Sequence, residues 1–195
     1  IRDRFQSDPL VALTLCGLFD LVNYFLVALI YLGLYAALRQ VNRSAMVIAA
    51  AFGLVGMGVY FASNQAFAVA VVSNQYAAAA SDQERTMALA AGEALLAIHN
   101  AGAVFPGAGV TLALFLVTLA GLIIAVVMLR SDVFGKATAI IGILAHWAML
   151  VYFVTWTLPP AIRAIPPSLS GLFLFVWYIL IGIKLLKLGS KASMA

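Results

Sequence analysis

Asp20 is the only acidic residue set inside a long apolar run of this 195-residue chain, and His146 is the histidine that lies deepest in one. An ionisable side chain in hydrocarbon is costly to place and therefore marks a functional hypothesis with a partner to be named. For Asp20 the nearest candidates are Asn23 at i+3 and Tyr24 at i+4, which a helix brings to the same face. A carboxylate so placed can contact a substrate or carry a coupling proton. His146, followed by Trp147, has two readings. One is a neutral imidazole bonded to a carbonyl or hydroxyl of a neighbouring helix; the other is a proton relay or a ligand.

Most other membrane chemistries lack their parts. The four lysines, Lys136, Lys184, Lys187 and Lys191, lie near the ends of apolar runs, which leaves no mid-membrane amine for a Schiff base. There is no H-E-x-x-H, no phosphate-binding loop and no nucleophile elbow. Ser63 and Ser73 have no histidine close by in sequence, and lone serines in membrane helices are usually packing residues. The single cysteine, Cys16, excludes an intrachain disulfide and a thiolate cluster. The sequence therefore yields no catalytic, cofactor-binding or metal-binding set, and no cofactor is expected.

The elements that must position Asp20 and His146 follow from composition. Hydrophobic residues make up 65% of the chain and charged ones 9%, where water-soluble domains carry roughly a quarter charged. Lipid must be the solvent, and disorder is excluded because it needs low hydrophobicity. The formal net charge of +4 does not indicate nucleic acid, because the basic residues flank apolar runs instead of clustering on a solvated face. About 20 apolar residues span the hydrocarbon as a helix, and five stretches qualify: Pro9 to Leu38, Ala45 to Val72, Val104 to Leu129, Ala137 to Leu158 and Ser168 to Leu186. The expected fold is an all-α polytopic transmembrane bundle, one integral membrane domain over residues 1–195. Between the second and third spans, Ser81-Asp82-Gln83-Glu84 reads as a capping box that starts a new helix. That helix is expected to reach about Asn100, with Met87, Ala91, Leu95 and Ile98 on one face, and to lie on the membrane surface.

Lysine and arginine fix the expected orientation. Arg39, Arg43, Arg130, Lys136, Lys184, Lys187 and Lys191 fall on one side, and Arg2, Arg4, Arg85 and Arg163 on the other. The richer side is expected to be cytoplasmic, with the amino terminus of this chain outside and the carboxyl terminus inside. Ile1 outside implies a removed leading segment or a missing first helix.

At about 1.5 Å rise per residue, Asp20 lies about 27 Å from Leu38, and Asn64, Gln65, Thr111, Thr155 and Trp156 reach a similar height on their own helices. This outer layer is open to two readings. It is either the floor of a pocket with Asp20 as anionic contact and Tyr60 and Trp156 as walls, or the interface where polar and tryptophan side chains meet headgroups. His146 falls near the bilayer middle, about 13 Å above Ala137. His99, on the surface helix, stands far above it, so the two do not flank one haem iron. Ala45, Ala49 and Gly53 recur every four positions, a smooth surface for close helix approach, which makes the second span the expected centre of the bundle.

Several segments resemble an uncharacterised bacterial multipass family, domain of unknown function 4386. They are Leu38-Arg39-Gln40-Val41-Asn42-Arg43-Ser44 with Ala49-Ala50-Ala51-Phe52, Tyr60-Phe61-Ala62-Ser63-Asn64, and Gln75-Tyr76-Ala77 with Ser81 to Arg85. Val127-Met128-Leu129-Arg130-Ser131 and the closing Trp177 to Leu185 are similar as well. The resemblance implies a helical protein of the bacterial inner membrane with no established activity and no catalytic residues to carry over. It also implies one more helix ahead of Pro9, which favours a missing sixth span.

Function then divides three ways. The first expectation is a non-catalytic membrane protein that binds lipid, a hydrophobic small molecule or a larger membrane complex as an accessory subunit. The second is a small transporter or permease that uses Asp20 as its coupling or substrate-contact residue, and the third is a membrane-embedded enzyme with Asp20 or His146 as acid or base.

Overall fold

The computed structural model describes residues 17–99, 108–155 and 157–192, and every regular element among them is a helix. These are α1 (Leu18–Leu38), α2 (Arg43–Ser63), α3 (Ala66–Ala78), α4 (Asp82–His99), α5 (Ala108–Leu129), α6 (Lys136–Val154), the single turn α7 (Pro160–Arg163) and α8 (Ile165–Ala192). Five stretches are long and apolar enough to cross a membrane: α1, α2 with α3, α5, α6, and α7 with α8. The chain is an all-α bundle of multipass membrane type.

Local chemistry sets the boundaries. Asn42 opens α2, its Oδ1 accepting the Ala45 amide at 3.1 Å. The capping box closes in both directions: the Glu84 amide donates to Ser81 Oγ at 3.2 Å, and the Ser81 amide donates to Glu84 Oε2 at 3.3 Å. Between α5 and α6, Ser131 Oγ donates to the Met128 carbonyl at 2.9 Å, and buried Phe134 seals that end of the bundle. Pro166 and Pro167 sit in the first turn of α8, where backbone amides need no helical acceptor.

Two expectations about the second span are corrected. The apolar run from Ala45 to Val72 is not one helix, because α2 stops at Ser63 and α3 starts at Ala66. Asn64 causes the break: it ends α2 in an extended conformation, and its Oδ1 accepts the Ala66 amide at 3.0 Å. Nor is this span the centre. That place belongs to α5, which packs on α2 and α6 and touches α1. In its most apolar stretch 44% of the residues are buried, against 33% for the α2–α3 run. Of the expected first span, Pro9 to Cys16 lies outside the described residues.

The bundle closes as α1 on α2, α2 on α5, α5 on α6 and α6 on α8, with α8 returning to α1. One cluster runs through all five, from Tyr31, Leu34 and Leu38 of α1 through Met46 and Met57 of α2 and Ile124 and Met128 of α5 to Trp177 and Ile181 of α8. Neighbours in the ring alternate in direction apart from α1 and α8, which run the same way, so Arg39, Arg43, Arg130, Lys136, Lys184 and Lys187 collect at one end. The α3–α4 pair packs chiefly on itself.

Candidate functional site

At the end opposite those cations, the break in the second span positions a polar rim. The Tyr60 hydroxyl donates to Asp20 Oδ2 at 3.0 Å, and the Tyr24 ring lies on that of Tyr60 at 4.1 Å between centroids. One turn further along, Asn64 Nδ2 donates to the Gly17 carbonyl at 3.1 Å. Gly17 has a φ of 97°, a conformation that favours glycine and turns this carbonyl toward α2. Asp20 thus joins Tyr60 and Tyr24, and Asn64 joins Gly17, in a double latch between α1 and α2.

The rest of the expected outer cluster does not converge. Asn23 is exposed and has no side-chain hydrogen bond to another described residue, and Gln65 Nε2 donates at 3.4 Å to the Ser63 carbonyl of its own segment. Thr155 Oγ1 likewise turns back on its own helix, donating to the Tyr152 carbonyl at 2.9 Å. Trp156 lies outside the described residues.

Deeper in the bundle, His146 is 3% exposed. Its Nδ1 lies 2.7 Å from the Gly142 carbonyl, and since a carbonyl can only accept, Nδ1 is the donor. The carbonyl belongs to the histidine's own helix, one turn back, and not to a neighbouring one. With no lysine, carboxylate or second histidine beside it among the described residues, the ring is otherwise held by shape. It packs edge-on against Trp177 of α8 at 4.9 Å and fits over Gly121 of α5, where a Cβ would overlap it. Gly142 in turn makes room for the Trp177 indole. The Trp177 Nε1 and Ser170 Oγ, both buried, have no hydrogen-bond partner among the described residues. On the α1 side, Tyr31 donates to the Val117 carbonyl of α5 at 3.2 Å, with Tyr178 beside it.

Of the proposed packing stripe, Ala49 and Gly53 are buried and Ala45 is half-buried. A Cβ on Gly53 would stand 2.7 Å from the Tyr31 ring, and one on Gly56 3.0 Å from the Ala113 carbonyl.

Sequence reasoning missed Gly17, Gly121, Gly142 and Trp177 as parts of these contacts. The spacing of Gly142 and His146, one helical turn apart, is the signal that was present for the last pair of helices. No group of three or more His, Cys, Asp or Glu side chains capable of holding a metal comes together among the described residues.

Comparison with known proteins gives one match. No curated protein and no solved structure matches the chain. Residues 10–189 match the model of a family described as a domain of unknown function, DUF4386. With that match covering nearly its whole length and five apolar helices to span a bilayer, the chain belongs to the DUF4386 family of multipass membrane proteins.

Proposed function

We propose that this chain is a non-catalytic protein of the bacterial inner membrane that acts by binding lipid, a hydrophobic small molecule, or a larger membrane complex as its accessory subunit. One observation supports this reading: the intramembrane polar side chains are used to hold helices. Asp20 is bound by Tyr60 and Asn64 by Gly17 across α1 and α2, while His146 spends its Nδ1 on a carbonyl of its own helix and packs on Trp177 of α8. The faces left outward are apolar, with Phe19, Phe25 and Leu29 on α1 and Leu172 and Phe175 on α8 more than half exposed. Such faces suit lipid tails and a membrane partner alike. On this reading the bundle is one domain, and the end bearing Arg39, Arg43, Arg130 and Lys136 lies in the cytoplasm. The amino-terminal end of the chain is then outside and α8 ends inside.

Native mass spectrometry of a gentle detergent extract tests the proposal. Co-purifying lipid, ligand or subunit is the expected result, and a chain that always emerges alone and lipid-free overturns it. A second reading, a small transporter, has its own support in the exposure of Asp20 at the rim. Proteoliposomes decide between them. If the wild type passes protons or a solute and Asp20→Asn abolishes that flux without loss of thermal stability, the transporter reading replaces the first.

A further inference from the structure

We infer that the cationic end of the α2–α5 seam is a binding site for an anionic phospholipid, an assignment that rests on the binding function proposed above and gives it a place and a ligand class. A groove of about 290 Å³ opens there between the two helices. Its walls are apolar, formed by Ala45 of α2 and by Leu122, Val126 and Val127 of α5, while Asn42 and Arg130 stand at its mouth. From Arg130 to Leu122 the groove climbs about 12 Å along α5. This is room for a good part of one acyl chain. Its side is open, Val126 being 42% exposed, as suits a flexible chain that enters laterally from the bilayer.

The mouth selects charge. Arg130 follows the last residue of α5, at the depth where a headgroup meets water, and it forms no ion pair with another described residue. Asn42 uses its Oδ1 as the cap of α2, which leaves its Nδ2 hydrogens to donate. The capped amino-terminal end of α2, 21 residues long, adds the positive end of a helix dipole at the same level. A guanidinium, an amide donor and a helix amino terminus thus lie at the same end of an otherwise apolar groove, the chemistry that suits a phosphate oxygen above an acyl chain, and no carboxylate lines the groove among the described residues. A zwitterionic lipid would bring its cationic group into the same positive field.

The test titrates the detergent-purified full chain with phosphatidylglycerol or phosphatidylcholine and counts bound lipids by native mass spectrometry. One phosphatidylglycerol should be retained more tightly than the rest, and Arg130→Gln should weaken it about tenfold, the loss expected for one charge-assisted bond. Arg130→Lys should recover part of that affinity. Val126→Trp, at an exposed position, should fill the groove and displace the same lipid. Equal retention of phosphatidylcholine, or phosphatidylglycerol binding unchanged in both Arg130→Gln and Val126→Trp, overturns the site while leaving the general binding reading intact. No lipid on the wild type overturns the site, and if no ligand or subunit is retained either, the general reading falls with it. A dimer that Val126→Trp dissociates would assign the groove to a second copy of the chain and also overturn it.

Discussion

The rim between α1 and α2 and the seam where α5, α6 and α8 meet are fastened in different ways. At the rim, hydrogen bonds from Tyr60 and Asn64 join two helices whose side chains are partly exposed. In the seam, His146 and Trp177 are held by the absence of side chains on Gly121 and Gly142. The contrast follows from depth. Near the headgroups water can replace a lost polar bond, so such bonds are cheap to make and to lose; at mid-bilayer, close approach and van der Waals contact carry the association.

Four substitutions, in descending order of effect, sharpen that comparison. Gly142→Leu drives a side chain into the Trp177 indole, which is fully buried. It should destabilise by about 3 kcal/mol or more, read as an early thermal transition in detergent; an unshifted transition would remove the seam from the account. Gly53→Leu meets the buried Tyr31 ring at the α1–α2–α5 junction and should cost about 2 kcal/mol. Tyr60→Phe deletes one rim bond and keeps the ring stack, for a loss of about 0.6 kcal/mol, the average of side-chain hydrogen bonds measured in a membrane bundle. If Tyr60→Phe proved as damaging as Gly142→Leu, the rim would be a structural centre and the contrast would vanish. Gly58→Leu is the control. A Cβ there finds nothing within 4 Å, and the change should stay within about 0.5 kcal/mol.

What the sequence disclosed divides along the same physical line. The spans were legible because hydropathy is a one-dimensional property, and the start of α4 was legible because a capping box is complete within four residues. The break at Asn64 was not, since apolar residues continue on both sides and only the turn chemistry of one amide interrupts them. The rise per residue brought Asp20 and Asn64 to one level, but not to their separate partners Tyr60 and Gly17, nor did it show Asn23 turned away. The setting of His146 was least legible. Lipid-facing and helix-facing surfaces are equally apolar, so nothing local announces that Gly121 and Trp177, both on other helices, enclose this ring. For the same reason the small-residue stripe of α2 pointed to the wrong helix as the centre of the bundle.

Asn64 has a mechanical consequence. Its carboxamide sits at a corner where three rods converge: the carbonyl side starts α3, and the nitrogen side grips the backbone just ahead of α1. The start of the α3–α4 lever and the leading edge of α1 thus share one carboxamide, with the Tyr60–Asp20 bond as a second fastening one turn away. Losing that carboxamide would unfasten the lever's root and the tip of the rod together, leaving the Tyr60–Asp20 bond to carry the corner alone.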